Sequence, residues 1–315
     1  MKNEVYDYFE NLENKKISLT RNSKLKINHT SLEKVISEDN AVSKFKKGDK
    51  HYYLKPWKGN CNALHETASS NMYRHLGILT PPCYITKPVS GILSEDVRNL
   101  KNSGLLCTLA GNTPLQTLSN RIPEEFFIKN NWKILFNKHI QRYFLEFMTE
   151  ECLDAYISKF LASEIRTDGD GHLGNLFLYK KINENGKVGE KFDGVIPIDL
   201  ENSEVINFFE EYNRNNINAE NFNKYLKTDR CYFGILGDWS DGNYEENIKN
   251  LREAISKGDV KQVHIDLLKN LLLYDFPGEI KKVARENKLN FKRPYECTSR
   301  LWEWHGDNLG KELGL

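Results

Sequence analysis

Between Leu32 and Pro56 the chain runs in short stretches of alternating apolar and polar residues, LEKVIS, AVSKFKK and HYYLKP, the last two separated by Lys47-Gly48-Asp49-Lys50. Alternation at period two, broken by turn residues, predicts a small antiparallel sheet. Two earlier stretches, KISLT around Ile17 and KLKINHT, extend that pattern toward the N-terminus. The period then changes. NALHETASSNMYRHLGI carries Leu64, Ala68, Met72 and Leu76 four residues apart and stops at Gly77, with Pro81-Pro82 beyond, which predicts one helix with a defined end. CYITKPVSGIL and GLLCTLAG return to the strand pattern. After Pro114 the chain turns helical, first in EEFFIKNNWKILFNKHIQRYF and then in TEECLDAYISKFLASEIR, where Leu153, Tyr156, Ile157, Phe160 and Leu161 recur at helical spacing.

Two strand-like stretches, LGNLFLYKKI and GVIPIDL, flank INENGKVGEKFD and predict a hairpin. From about Glu210 to the end the pattern reads as helices and loops. The apolar positions Val263, Ile265, Leu267, Leu268, Leu271 and Leu272 mark a core helix, and RLWEWHGDNLGKELGL a packed closing one. Strands first and helices later point to an α+β fold in two lobes. The expected boundary lies near Gly111, with an N-lobe of antiparallel sheet plus one helix over 1–110 and a mainly helical C-lobe over 111–315. A chain of 315 residues is long enough for two lobes.

Composition narrows the function classes. Lysine plus arginine number 45 against 44 aspartate plus glutamate, so no global field favours nucleic acid or an anionic membrane, and no nucleic-acid partner is expected. Lys44, Lys46, Lys47 and Lys50 read as a solvated hairpin edge. The six cysteines stand singly, without a CxxC pair or a cluster at zinc-ligand spacing, and read as reduced thiols. No apolar stretch approaches the ~18 residues of a membrane span, and MKNEVYDYFENLENKK lacks the apolar segment of a signal peptide. The expected location is the cytoplasm of the producing cell, with export lacking a cleaved signal left open.

The chemistry concentrates in RTDGDGHLGNLFLYKK, Arg166 to Lys181. A solvated turn uses the same Asp, Asn and Gly residues. Against that reading, Asp170 and Asn175 on one loop, with Asp199 at the end of a second strand, bring three oxygen donors to one place. Hard oxygen donors suit magnesium, which binds one or two carboxylates together with substrate phosphates. In phosphoryl transfer one aspartate accepts the hydroxyl proton while an asparagine and a second aspartate hold the metal. Asp168, two residues earlier, competes with Asp170 for the role of base.

DGHLGN at Asp170–Asn175, followed by VIPIDLENS around Asp199, resembles the HipA-like serine/threonine kinases, whose pattern is close to D-x-H-x-x-N and then an aspartate after an apolar strand. The wider superfamily includes the phosphatidylinositol 3- and 4-kinases. The resemblance covers about Ser31 to Glu204. It implies a two-lobe protein-kinase-like fold that binds ATP with magnesium or manganese and phosphorylates a hydroxyl of a protein. It assigns Asp170 as base, His172 as a brace of the loop, Asn175 and Asp199 as metal ligands, and Lys55 with Glu66 as the pair that holds the phosphates. Leu105 to Ala110 becomes the hinge strand against which adenine packs, through Leu106, Thr108 and Leu109. It also implies a protein substrate and a possible cognate regulator, in a compact free-standing or effector-type member that lacks the extra N-terminal subdomain of HipA toxins.

The chain departs from the pattern in two places. Ser37 to Ser43, SEDNAVS, is acidic where a glycine-rich phosphate loop would lie, and the triplet Asp199-Leu200-Glu201 carries a carboxylate in place of the usual glycine. Glu201 reads equally as a metal ligand or a bystander. These departures keep a pseudokinase in view beside a lipid kinase and a nucleotidyl transferase. Position beside the expected phosphate loop also makes Ser37 and Ser43 candidate autophosphorylation sites.

Overall fold

The computed structural model describes residues 32–36, 41–47, 50–56, 60–86, 91–122, 135–201, 203–211, 216–233 and 239–315. KISLT, KLKINHT and Ser37 lie outside the described residues, as does the Ser43 side chain. The fold is α+β. Strands β1 (Leu32–Ile36), β2 (Ala41–Lys47), β3 (Lys50–Pro56), β4 (Cys83–Thr86) and β5 (Gly91–Glu95) form an antiparallel sheet in the order β1-β2-β3-β5-β4. CYITKPVSGIL is therefore two strands. Helix α1 (Asn60–His75) packs on one face of this sheet, where Ala63 joins Cys83 and Ile92. Tyr52, Leu54 and Leu93 cluster on the other face.

The alternation along β3 decides where Lys55 points. Leu54 faces Leu93 across the ladder and Lys55 faces Ile92. Directly opposed residues share a face, so Lys55 lies on the side that α1 covers.

A second sheet, β6 (Leu105–Leu109), β7 (Leu176–Lys181) and β8 (Gly194–Pro197), is antiparallel in chain order. The expected hairpin is β7–β8, in register Leu178↔Val195, while β6 pairs with the other side of β7 and forms one edge. Leu176, Leu178 and Val195 enter the main core. Tyr179 and Ile196 pack with Val97, Leu100 and Leu105 on the opposite face.

The remainder is mainly helical: α2 (Leu115–Leu118), α3 (Lys138–Leu145), α4 (Glu150–Ile165), α5 (Glu204–Glu211), α6 (Ala219–Lys227), α7 (Tyr244–Ser256), α8 (Gln262–Leu273), α9 (Phe276–Asn287) and α10 (Lys292–Leu313). Among the described residues, no helix is long and apolar enough to cross a membrane. The long helix expected from EEFFIKNN onward differs in the part that is described. Asn137 accepts hydrogen bonds from the backbone of His139 and Ile140 and so starts α3 afresh at Lys138. A two-stranded hairpin, β9 (Arg230–Phe233) with β10 (Trp239–Gly242), stands where only helices and loops were expected.

The closing helices brace α1 from behind. Phe276, fully buried, meets His65 of α1 edge-on with ring centroids 5.4 Å apart and Trp302 of α10 at 5.0 Å. The Asn71 side-chain amide donates to Glu279 at 2.8 Å. Phe276→Ala is expected to cost about 3–5 kcal/mol, the usual range for a buried aromatic, measured by urea unfolding. Faster amide hydrogen exchange in α1 should accompany it; unchanged exchange there would show that α1 stands without this brace.

Candidate active site

Lys55 meets Glu66 because β3 and α1 present them to each other. Its Nζ lies 3.6 Å from Glu66 Oε1. The same ammonium donates to Asp199 Oδ1. Asp199 follows β8 and has φ +57°, in the left-handed region that aspartate tolerates better than most residues. That turn returns its carboxylate toward Lys55. Glu66 is buried, and Cys83 Sγ approaches its Oε1 at 3.6 Å. Burial is the main cause that raises the Glu66 carboxyl, and Asp199 and Glu201 add to it against the pull of Lys55. For Lys55 burial pulls downward, but Glu66, Asp199 and Glu201 outweigh it and hold the ammonium charged.

The loop before β7 supplies the second half. His172 caps the short turn Leu173–Asn175, its Nδ1 accepting from Gly174 N at 2.9 Å. The ring proton is then on Nε2, which sits 3.4 Å from Asp170 Oδ1. This close packing requires glycine at 174, since a Cβ there would lie 2.5 Å from His172 Cε1. Asn175 donates through Nδ2 to Asp170 O at 2.9 Å, which leaves its amide oxygen for a cation. Burial raises the Asp170 carboxyl; His172 opposes the shift, while Asp199 and Asp168 reinforce it.

Asp168 is differently occupied. Its Oδ2 accepts from Arg166 Nη2 at 2.6 Å, with both side chains almost wholly buried. Its Oδ1 accepts from Asp170 N at 3.2 Å. A carboxylate held this way shapes the loop and is poorly placed to meet a substrate. The other terminal nitrogen of Arg166 donates to His65 Nδ1 at 3.0 Å, Ser69 Oγ at 3.1 Å and Leu200 O at 2.8 Å. One guanidinium thus connects α1, the Asp168–Asn175 loop and the Asp199–Glu201 segment. Burial and the charge of Arg166 keep His65 neutral, as an acceptor must be.

Glu66, Asp199 and Glu201 each bring a ligand oxygen within 4.8 Å of the others. Glu66 Oε2 is buried with no hydrogen-bond partner among the described residues. Three carboxylates around one ammonium leave an excess of negative charge, and this donor set fits a hard divalent cation. Asp199 and Asn175 were the expected ligands; Glu66 and Glu201 bring further oxygens beside Asp199. On β6, the expected hinge, Leu106 is 40% exposed, while Thr108 and Leu109 are half-buried.

The chain shares its fold with a kinase. The structure of the Helicobacter pylori proinflammatory kinase CtkA superposes with a TM-score of 0.56 at 9% identity, covering 92% of this chain and 95% of that chain. HipA of Shewanella oneidensis MR-1, from its complex with HipB and operator DNA, gives 0.43 at 9% identity over 90% of this chain and 63% of that one. Choline kinase LicA from Streptococcus pneumoniae gives 0.25 at 10% identity over 95% and 98%. The last two superpose too loosely to add to the argument. No family model matches the sequence, and no curated protein matches it.

Sequence reasoning gave no role to Arg166, although it opens the stretch that carries the chemistry, nor to His65 and Ser69. Their shared function depends on contacts between residues about a hundred positions apart, and no local signal encodes those.

Arg166→Met should leave Asp168 buried and uncompensated, at a cost of about 3–5 kcal/mol. Asp170→Asn, on a half-exposed carboxyl, should change unfolding free energy by less than about 1 kcal/mol. Equal melting curves for the two variants would remove Arg166 from its central place. A pH effect follows from Glu164, whose carboxyl is pushed up to about 7 by burial and then by Asp168. Above its ordinary range and up to about pH 7 the folded chain keeps a proton that the unfolded chain releases, so its stability falls as pH rises through that window. Glu164→Gln, permanently neutral, should match the wild-type melting temperature near pH 5 and exceed it by a few degrees at pH 8. Parallel curves across the range would refute this.

Proposed function

We propose that the chain is an ATP-dependent kinase that transfers the γ-phosphoryl group to a hydroxyl, that of serine or threonine on a protein. One observation carries the reading: the Lys55 ammonium reaches Glu66 and Asp199 together, with the Asp170 carboxylate close enough to Asp199 for their charges to interact. This is the set of groups that phosphoryl transfer needs, a phosphate-holding lysine, its orienting glutamate, a metal-binding aspartate and a base.

When bound, ATP with magnesium or manganese supplies the phosphoryl group and a divalent charge beside it. The work of the chain is positioning. Lys55 exchanges its bond to Asp199 for the phosphates while Glu66 keeps it oriented. Asp199 and Asn175, with Glu201 beside them, hold the cation. Asp170 orients the acceptor hydroxyl and takes its proton at a carboxylate oxygen, and His172 restrains that carboxylate from one side. The outer edge of β6 offers backbone groups to adenine, with Leu106, Thr108 and Leu109 as its lining. With an acidic segment in place of a glycine-rich loop, the grip on the phosphates rests on Lys55 and the cation. The cleft would lie between the lobes that meet near Gly111. A protein acceptor, and a cognate regulator, are what the HipA-like resemblance implies.

The test is incubation with magnesium and γ-labelled ATP in the presence of candidate proteins and mixed lipid vesicles. Label on protein should fall by at least about 100-fold in Asp170→Asn and Asp199→Asn. Label on lipid alone would assign a lipid kinase. Bound ATP without transfer to either acceptor would make the chain a pseudokinase.

A further inference from the structure

Lys159 sits on α4, seven residues before Arg166, with Ser163 between them, so the three share one face of the helix. It is 5% exposed. Its neighbours on that face are well occupied. Arg166 holds Asp168, and Ser163 Oγ lies 3.0 Å from the Tyr73 hydroxyl and 3.4 Å from Asp168 Oδ2. The Lys159 ammonium, by contrast, makes no hydrogen bond and no ion pair among the described residues; it only feels the charges of Asp168, Asp170 and Glu164, and the opposing one of Arg166. Burial lowers its affinity for a proton.

A lysine side chain buried to this extent is disfavoured unless anionic groups lie near it, so its place asks for a reason. The place is the underside of the loop. A Cβ on Gly171 would stand 3.3 Å from Lys159 Nζ, so the ammonium lies against the backbone just after Asp170. Glycine at 171 is what lets it approach so closely.

We propose that Lys159 is a positioning residue for the transfer step: its ammonium, lodged under Gly171, is the internal counter-charge that keeps the Asp168–Asp170 turn, and with it the Asp170 carboxylate, in the attitude that receives the acceptor hydroxyl. It acts through the loop and touches no substrate. The proposal rests on the kinase reading above. Its physical basis is separate, since three carboxylates converge on the region of this ammonium and only Asp168 has an ion pair with a guanidinium there.

The experiment compares wild type, Lys159→Met, Gly171→Ala and the double variant. The expected result for Lys159→Met is a kcat at least about tenfold lower, the scale of a small misplacement of a reacting group, with KM for ATP within twofold of wild type. The melting temperature should rise, because an unpaired buried charge has been removed. Gly171→Ala displaces the far end of the lysine and should lower kcat in the same direction, yet add little on top of Lys159→Met. A lysine that only fills space would leave kcat unchanged while the melting temperature rose, and that outcome overturns the proposal. If Lys159→Met does not fold, an unchanged kcat in Gly171→Ala overturns it equally. If wild type transfers no phosphoryl group, the kinase reading has failed on its own. Hydrogen exchange at amides 168–175 then decides: faster exchange in Lys159→Met supports the positioning role, and identical exchange ends it.

Discussion

Arg166 is buried completely at the end of α4, and its guanidinium has partners on three separate stretches of chain. Asp168 takes one nitrogen; His65, Ser69 and the Leu200 carbonyl take the other. A buried ion pair adds little net stability, because desolvation offsets the attraction. Its consequence is geometric. A planar fork with fixed donor directions accepts few arrangements of its acceptors, so the position of α1 relative to the Asp168–Asn175 loop and the Asp199 segment is held by one residue. The Tyr73 ring, 5.6 Å from the guanidinium carbon, closes the same site from the side.

What Arg166 holds in register is the pair of surfaces that carry the candidate site. On one side stand Lys55 and Glu66, on the other Asp170, Asn175 and Asp199. The Lys55 ammonium joins the two, ion-paired with Glu66 and hydrogen-bonded to Asp199 at once. An anionic ligand that draws Lys55 away leaves Glu66, Asp199 and Glu201 with no ammonium among them, and three carboxylates so close repel one another. Under the proposed function, ligand binding and cation binding would be coupled through charge: phosphates would release the carboxylates and a cation would reconcile them. Phe276 and Glu279 hold α1, the helix that carries Glu66, from behind through His65 and Asn71.

The architecture and the central residues were legible for a definite reason. Period-two alternation around HYYLKP predicts β3 and the helical spacing of Leu64, Ala68 and Met72 predicts α1; that Lys55 and Glu66 on these elements form a pair is what the kinase resemblance implies; DGHLGN and Asp199 are short segments whose chemistry is local. The rivalry between Asp168 and Asp170 could not be decided by composition, because both are loop aspartates two residues apart, and the difference lies in a guanidinium that only the fold brings to the first. The β9–β10 hairpin was invisible because WSDG lacks the apolar alternation of a strand; the pairing of Asp241 with Cys231 and Gly242 with Arg230 is a tertiary outcome. Asn137 was read as an interior helix position, although its side chain caps the helix that follows.

Helix α4 shows where a sequence pattern misleads most. Leu153, Tyr156, Ile157, Phe160 and Leu161 form a stripe that ordinarily leaves the opposite face to water. In the fold most of the helix after its first turn is buried, and Lys159, Ser163 and Arg166 are buried with it. Placing two cations inside a core lowers stability unless something anionic lies close by, and here it does: Asp168 at ion-pair distance, Asp170 and Glu164 within reach of their fields. The acidic loop and the basic helix face are therefore one electrostatic unit. A polar residue at a helical core position is thus best read from the charge of the loop it faces.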